Sequence, residues 1–211
     1  IITLSRLGTS VSDLNGYVAE VFPVFDRFGD IRERAVTLGK IAEIHFQRGE
    51  LDEALRIRVE EQLPVYMKLG DIRAQALTLG RIADIHYLRD ELDDALRIHR
   101  EKVLPVFEKL GDIRARGVTL GRISDIHAQR GELDEALRLL QTEVLPDAKR
   151  MGAIRDCAWT KLRIARLRIL QRQVPEALRM LQEEVLPVLQ QVGDAYGIKV
   201  SESLIKKILT Q

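Results

Sequence analysis

The chain has 211 residues, with 33 Lys and Arg against 32 Asp and Glu for a net charge of +1, and is 31% charged and 45% hydrophobic. That balance excludes a disordered chain and any strong global pull towards nucleic acid or an anionic membrane, and no apolar run reaches the ~20 residues needed to cross a bilayer. A single cysteine, Cys157, rules out an internal disulfide and a multi-cysteine zinc cluster. Fourteen glycines, six prolines and 5% aromatics leave a helix-favouring composition. With Ile1 first, a processed chain or an excised piece is expected, and the expected location is cytoplasmic.

A repeat organises the whole length. Gly-Asp-Ile-Arg occurs at Gly29–Arg32, Gly70–Arg73 and Gly111–Arg114, then weakens to Gly152-Ala153-Ile154-Arg155 and Gly193-Asp194, each step being 41 residues. Pro23, Pro64, Pro105, Pro146 and Pro187 keep the same period, and residues 30–70 and 71–111 share 26 of 41 positions without a gap. A period held this tightly predicts a solenoid and leaves no room for a separate globular domain.

In chain order, residues 1–29 form an incomplete unit whose stretch 10–28 reads as a lone B helix. Four units follow at 30–70, 71–111, 112–152 and 153–193. Each holds an A helix (about 30–48, 71–89, 112–130, 153–171) and a B helix (about 52–69, 93–110, 134–151, 175–192). Asp30 is the expected N-cap of the first A helix, and Ile31, Ala35, Leu38, Ile41, Ala42 and Phe46 its buried stripe, with His45 beside them. Gly49 closes that helix; its replacement by Asp90 and Arg172 predicts weaker caps there. Asp52 should open the B helix, with Ala54, Leu55, Ile57, Leu63, Tyr66 and Leu69 facing inward. The proline falls inside each B helix, where a regular helix would lose ~3 kcal/mol. A kink or a one-residue π-bulge before it is expected, with a break into two helices as the competing reading. Residues 194–211 form a lone A helix with Lys199, Lys206 and Lys207 on a polar outer face, as a terminal cap requires.

The unit resembles the tetratricopeptide repeat (TPR) in a lengthened form, carried by Leu38, Ile41, Ala42, His45, Gly49, Leu51, Asp52-Glu53-Ala54-Leu55 and Leu63-Pro64, which recur in the following units. It looks most like long-repeat arrays of bacterial multidomain regulators. The resemblance implies an all-α, right-handed solenoid of antiparallel helix pairs, whose A helices line a concave groove that binds a peptide or partner domain. The family's clamp for a C-terminal carboxylate does not carry over. Its groove asparagines are replaced by Glu43, Asp84, Asp125 and Arg166, and the preceding position is Gly39, Gly80 and Gly121.

Chemistry is sparse. Gly39-Lys40 lacks the remaining residues of a phosphate loop, and the ladder His45, His86, His127 reads as packing histidines because neighbouring helices hold ligands too far apart for one ion. No catalytic residue, metal site or cofactor is expected. The mid-helix glycines reflect either close packing of A helices or a smooth floor for a ligand. Lys40, Arg81, Arg122 and Arg163 precede Glu43, Asp84, Asp125 and Arg166 by three residues, which suits intrahelical salt bridges or a charged groove. Trp159 with Arg163 and Arg166 makes the fourth unit the expected partner-binding end. Arg32, Arg73, Arg114 and Arg155 open the A helices against the macrodipole and should have acidic or external partners. The expected role is a non-catalytic interaction or sensing module binding protein or peptide. Self-assembly is the alternative; nucleic acid is disfavoured, and no membrane partner is expected.

Overall fold

The computed structural model describes residues 30–210; the lone B helix expected at 10–28 lies outside the described residues. All regular structure among them is helical. The chain divides into two compact units, one ending at Asp90 and the other beginning at Glu91. The first contains α1 (Ile31–Gln47), α2 (Leu51–Arg56), a π-helical turn π1 (Ile57–Gln62), α3 (Leu63–Lys68) and α4 (Ile72–Leu88). The second opens with α5 (Leu92–Arg97), π2 (Ile98–Val103) and α6 (Leu104–Leu110), then α7 (Ile113–Gln129). It continues with α8 (Leu133–Leu139), π3 (Leu140–Val144), α9 (Leu145–Arg150), α10 (Ile154–Leu170), α11 (Val174–Met180), π4 (Leu181–Val185), α12 (Leu186–Gln191) and α13 (Ala195–Leu209).

The A helices α1, α4, α7, α10 and α13 start where an aspartate can satisfy the first orphan N–H groups. The side chains of Asp30, Asp71, Asp112 and Asp194 accept from the N–H three residues on, at 2.9–3.1 Å. Ala153 stands in that place before α10, which has no side-chain cap. The expected role of Asp52 is corrected. The B helix begins one residue earlier, after Glu50, and Asp52 uses its carboxylate to accept from Arg89 at the far end of α4. In the second unit Arg130 donates to Asp93 and Gln171 to Asp134 in the same way, so the ends of α4, α7 and α10 are each tied to the preceding B helix.

Within each unit, A and B helices of one repeat meet through small residues. Ala42 and Ala54 are fully buried in the first unit, as are Ala165 and Ala177 in the second. Ser124 donates its hydroxyl to the Ala136 carbonyl at 3.0 Å, a bond that requires the two backbones to be close. Around these contacts lie Leu140, Leu181 and Leu189 with no measurable exposure, each contributing roughly 1.5–3 kcal/mol by burial.

The proline is accommodated by a π turn, and the B helix does not break. The N–H of Leu63, the residue before Pro64, bonds to the Arg58 carbonyl five residues back, and Leu104, Leu145 and Leu186 repeat this to His99, Leu140 and Leu181. The widened turn moves the carbonyl that would strike the pyrrolidine ring, and the proline's missing N–H falls in the first turn of the next α segment, where it is an orphan anyway.

The histidines belong to the helix ends. The N–H of Glu50 bonds to the His45 carbonyl at 2.9 Å, Gly49 takes φ +77°, and the Glu50 carboxylate pairs with His45 Nδ1; His127, Gly131 and Glu132 repeat the arrangement. Arg172 occupies the glycine position at φ +64°, a left-handed conformation that costs a non-glycine residue roughly 1–2 kcal/mol. Arg172 is exposed, so Arg172→Gly relieves that cost without losing a packed side chain. The variant should be more stable by ~1 kcal/mol and melt ~2–4 °C higher by circular dichroism.

Candidate functional site

In the first unit a groove of about 510 Å³ runs between α1 and α4, with π1 and α3 as its floor. Val36 and Leu77 line it at two walls, and Gly39, Lys40, Glu43 and Arg81 continue along them. The floor contributes Arg58, Gln62 and Tyr66, all buried. Arg58 donates from Nη2 to Glu43 at 3.1 Å and from Nη1 to Gln62 Oε1 at 3.3 Å; Gln62 in turn donates to the Ala35 carbonyl at 3.2 Å. Burial pushes the Arg58 pKa down, and the nearby Arg81 adds to this while Glu43 and Asp84 oppose it. Gly39 exists for Gln62, since a Cβ there would fall on the carboxamide.

A groove of about 200 Å³ occupies the matching register of the second unit, between α7 and α10. Val118 and Trp159 stand where Val36 and Leu77 stand in the first, and Arg163 where Arg81 does. The floor differs, with Val144 and Ala148 in place of Gln62 and Tyr66. Arg163 crosses to α7, occupies the space over Gly121 and pairs with Asp125 at 3.2 Å. Both glycines therefore make room for a long polar side chain from another helix, which was neither of the two expected reasons.

Glu43 and Asp125 are held by Arg58 and Arg163 from other helices, while Arg81 and Asp84 form the expected three-residue pair at 3.6 Å. Lys40 and Arg166 are exposed and make no ion pair among the described residues. Arg122 is half-buried. Trp159 is half-committed to structure: its indole N–H donates to Asp194 at 2.8 Å and its ring stacks on Tyr196, centroids 5.8 Å apart. Asp194 also accepts from Arg155 Nε at 2.7 Å, and these bonds with the Gly197 N–H hold its pKa down at about 2. The basic row that opens the A helices thus has internal partners: Arg32 reaches Asp71 at 2.5 Å, Arg155 reaches Asp194, and Arg114 turns to Asp156 at 3.4 Å because Ala153 removes its aspartate.

Sequence reasoning missed Arg58 and Gln62. The available signal was register: positions 58, 99, 140 and 181 read Arg, His, Leu, Leu, and all four are buried. His99 is pushed down to about 4 by burial and by Arg122, and its Nδ1 has no hydrogen-bond partner among the described residues. Burial pushes the Cys157 thiol up, which keeps it protonated. No cluster of three His, Cys, Asp or Glu suited to a metal occurs among the described residues.

Gly39→Ala should lower stability by ~1 kcal/mol, because displacing the buried, bonded Gln62 amide outweighs the ~1 kcal/mol gain in helix propensity. Gly121→Ala meets only the flexible end of Arg163 and should be near neutral; denaturant titration of both separates them. His99 has a folded pKa below its ordinary 6.5, so its contribution is complete above that value and is lost as pH falls towards 4. His99→Leu should therefore abolish about 3 kcal/mol of acid sensitivity between pH 6.5 and 4, read as a flatter dependence of melting temperature on pH.

No protein-family profile matches the chain, and no curated protein is similar to it. Solved structures are similar in fold. BtubC (BKLC) from P. vanneervenii superposes with a TM-score of 0.67 at 14% identity, covering 100% of this chain and 92% of its own. A protein of Podosopora anserina described as kinesin light chain-like, with nearly identical TPR-like repeats, gives a TM-score of 0.59 at 15% identity over 83% of this chain and 95% of its own. A single-substitution variant of that protein gives 0.60 at 16% identity over 86% and 91%. At these identities the likeness concerns architecture: the chain has the fold of a TPR-like α-solenoid.

Proposed function

We propose that the chain is a non-catalytic protein-interaction or ligand-sensing module, part of a larger regulatory protein, that docks a peptide or partner domain between its A helices. TPR-like solenoids are in general scaffolds for protein partners. The observation that carries the reading is the inter-helix groove in each unit, with apolar side chains left open at its mouth: Leu77 is 46% exposed and Val118 59%. Large apolar side chains beside charged groups are what a docking surface presents. Internal engagement of Arg32, Arg114 and Arg155 with aspartates weighs against a phosphate-binding row.

The test is to purify the full-length native protein with its bound partners and compare it with the Leu77→Asp/Val118→Asp variant. Leu170→Asp, a change of equal kind at a 61% exposed site outside both grooves, serves as control. A defined protein partner should be lost, with affinity down at least tenfold, in the double variant and kept in the control. Retention in the double variant would remove the grooves as the site. Recovery of only further copies of the chain would favour the self-assembling module, and nucleic acid released steeply by salt would favour the arginine row.

A further inference from the structure

In the second unit Arg116 of α7 bridges two B segments. It donates to Glu108 of α6 at 3.4 Å, and to Glu143 of π3 and Asp147 of α9 at 2.5 Å each. A long polar side chain holds the same register in the first unit, where Gln75 of α4 donates to the Tyr66 carbonyl at 3.0 Å. One period of 41 residues after Arg116 stands Cys157. At the same step Glu108 gives way to Lys149 and Asp147 to Val188, and Glu143 alone keeps its charge, as Glu184. The short thiol cannot bridge the B segments. A groove of about 290 Å³ lies in that place, between α9 and α12 with α10 as its floor.

The charge left around the groove is positive. Glu184 is taken by Lys161 at 2.8 Å, whereas Lys149 is exposed and makes no ion pair among the described residues. Ile154, 53% exposed, stands with Val188 and the buried Ala158 as the apolar lining. None of these residues belongs to the A-helix groove of the same unit: α10 gives Trp159, Thr160 and Arg163 to that groove and Cys157, Ala158 and Lys161 to this one. We infer that the groove is a further docking socket, on the B-helix side of the array, for an acidic amphipathic helix of a partner protein. One large apolar side chain of that helix enters beside Ile154 and Val188, and an Asp or Glu one turn away meets Lys149. The inference goes beyond the role proposed above, since it concerns a different surface. Apolar contact supplies the affinity; the exposed lysine selects and steers, because a solvated ion pair contributes little strength. A recess suits a side chain better than a bilayer, which takes up apolar groups that project. The helix can continue over the preceding turn, where Ile113 and Lys109 are exposed. Arg114 meets Asp156 at 3.4 Å and so sets the two turns side by side. Packed helices ~8–10 Å apart match seven residues of helix, about 10 Å.

The test selects a displayed library of helical peptides against the whole chain and reads the site by alkylation of Cys157, the single cysteine, with iodoacetamide. Enriched peptides should carry a large apolar residue with Asp or Glu one turn away, and should slow the alkylation at least threefold. Ile154→Asp should weaken them at least tenfold. Lys149→Glu should cost at least threefold, regained when the peptide's acid is changed to lysine. Cys157→Arg, the residue of the preceding repeat, should fill the groove and cost at least tenfold with helical content unchanged, whereas Cys157→Ser should bind as the parent does. Peptides that leave alkylation unchanged and tolerate both Ile154→Asp and Cys157→Arg would overturn the socket. If those peptides are lost in the Leu77→Asp/Val118→Asp variant, the A-helix grooves stand as docking sites without it. No enriched peptide, peptides without acid preference, or capture of phosphatidylserine vesicles that Ile154→Asp abolishes would overturn the socket as well.

Discussion

The constraint on which the rest depends is a proline in the middle of every described B helix. In a regular helix each would cost ~3 kcal/mol, and four of them would consume most of the roughly 5–15 kcal/mol that a folded domain has in hand. The π turn removes that conflict locally, with one bond spanning five residues in front of each Leu-Pro pair. It also sets what the B helix presents. The same turn carries the groove floor: Arg58 and Gln62 both lie in π1 and are buried. The segment that accommodates the proline is thus also the segment that floors the groove.

Because that floor position is buried in every unit, its identity sets the chemistry of the space above it. Arginine at 58 recruits Glu43 and Gln62, and Gln62 in turn requires glycine at 39. Leucine at 140 needs none of these, and Asp125, relieved of a partner on the floor, is taken by Arg163 from α10. Glycine at 121 then serves the arginine that crosses it. Two near-identical repeats thus arrive at one sequence feature, a mid-helix glycine before a charged residue, for different physical reasons.

The fold was legible because each of its signals is local. Asp30 and Asp71 cap the helices that follow them, Ala42 and Ala54 mark the close approach, and the period of 41 aligns all of them. The site was less legible because its pairings are not local. The three-residue spacing of Lys40 and Glu43 permits an intrahelical pair, but a buried guanidinium fifteen residues on has more to gain from that carboxylate than an exposed lysine does. Trp159 looked like an unoccupied anchor when its own unit was considered. Its partner, Asp194, is the cap of the next A helix, 35 residues away, and can be found only by carrying the Arg32–Asp71 relation forward by three repeats.

The last described A helix, α13, shows how the same register can carry different residues. In the first repeat the face turned to the B helix reads Ala35, Leu38 and Ala42, all buried. In α13 the corresponding positions are Lys199, Glu202 and Lys206, all exposed. The other face is apolar: Ile198, Val200, Leu204, Ile205 and Ile208 pack on the cluster that contains Leu181, Val185 and Leu189. Arg155 and Trp159 are fastened to its capping aspartate, so α13 is tied to α10 by polar bonds as well as by this apolar face.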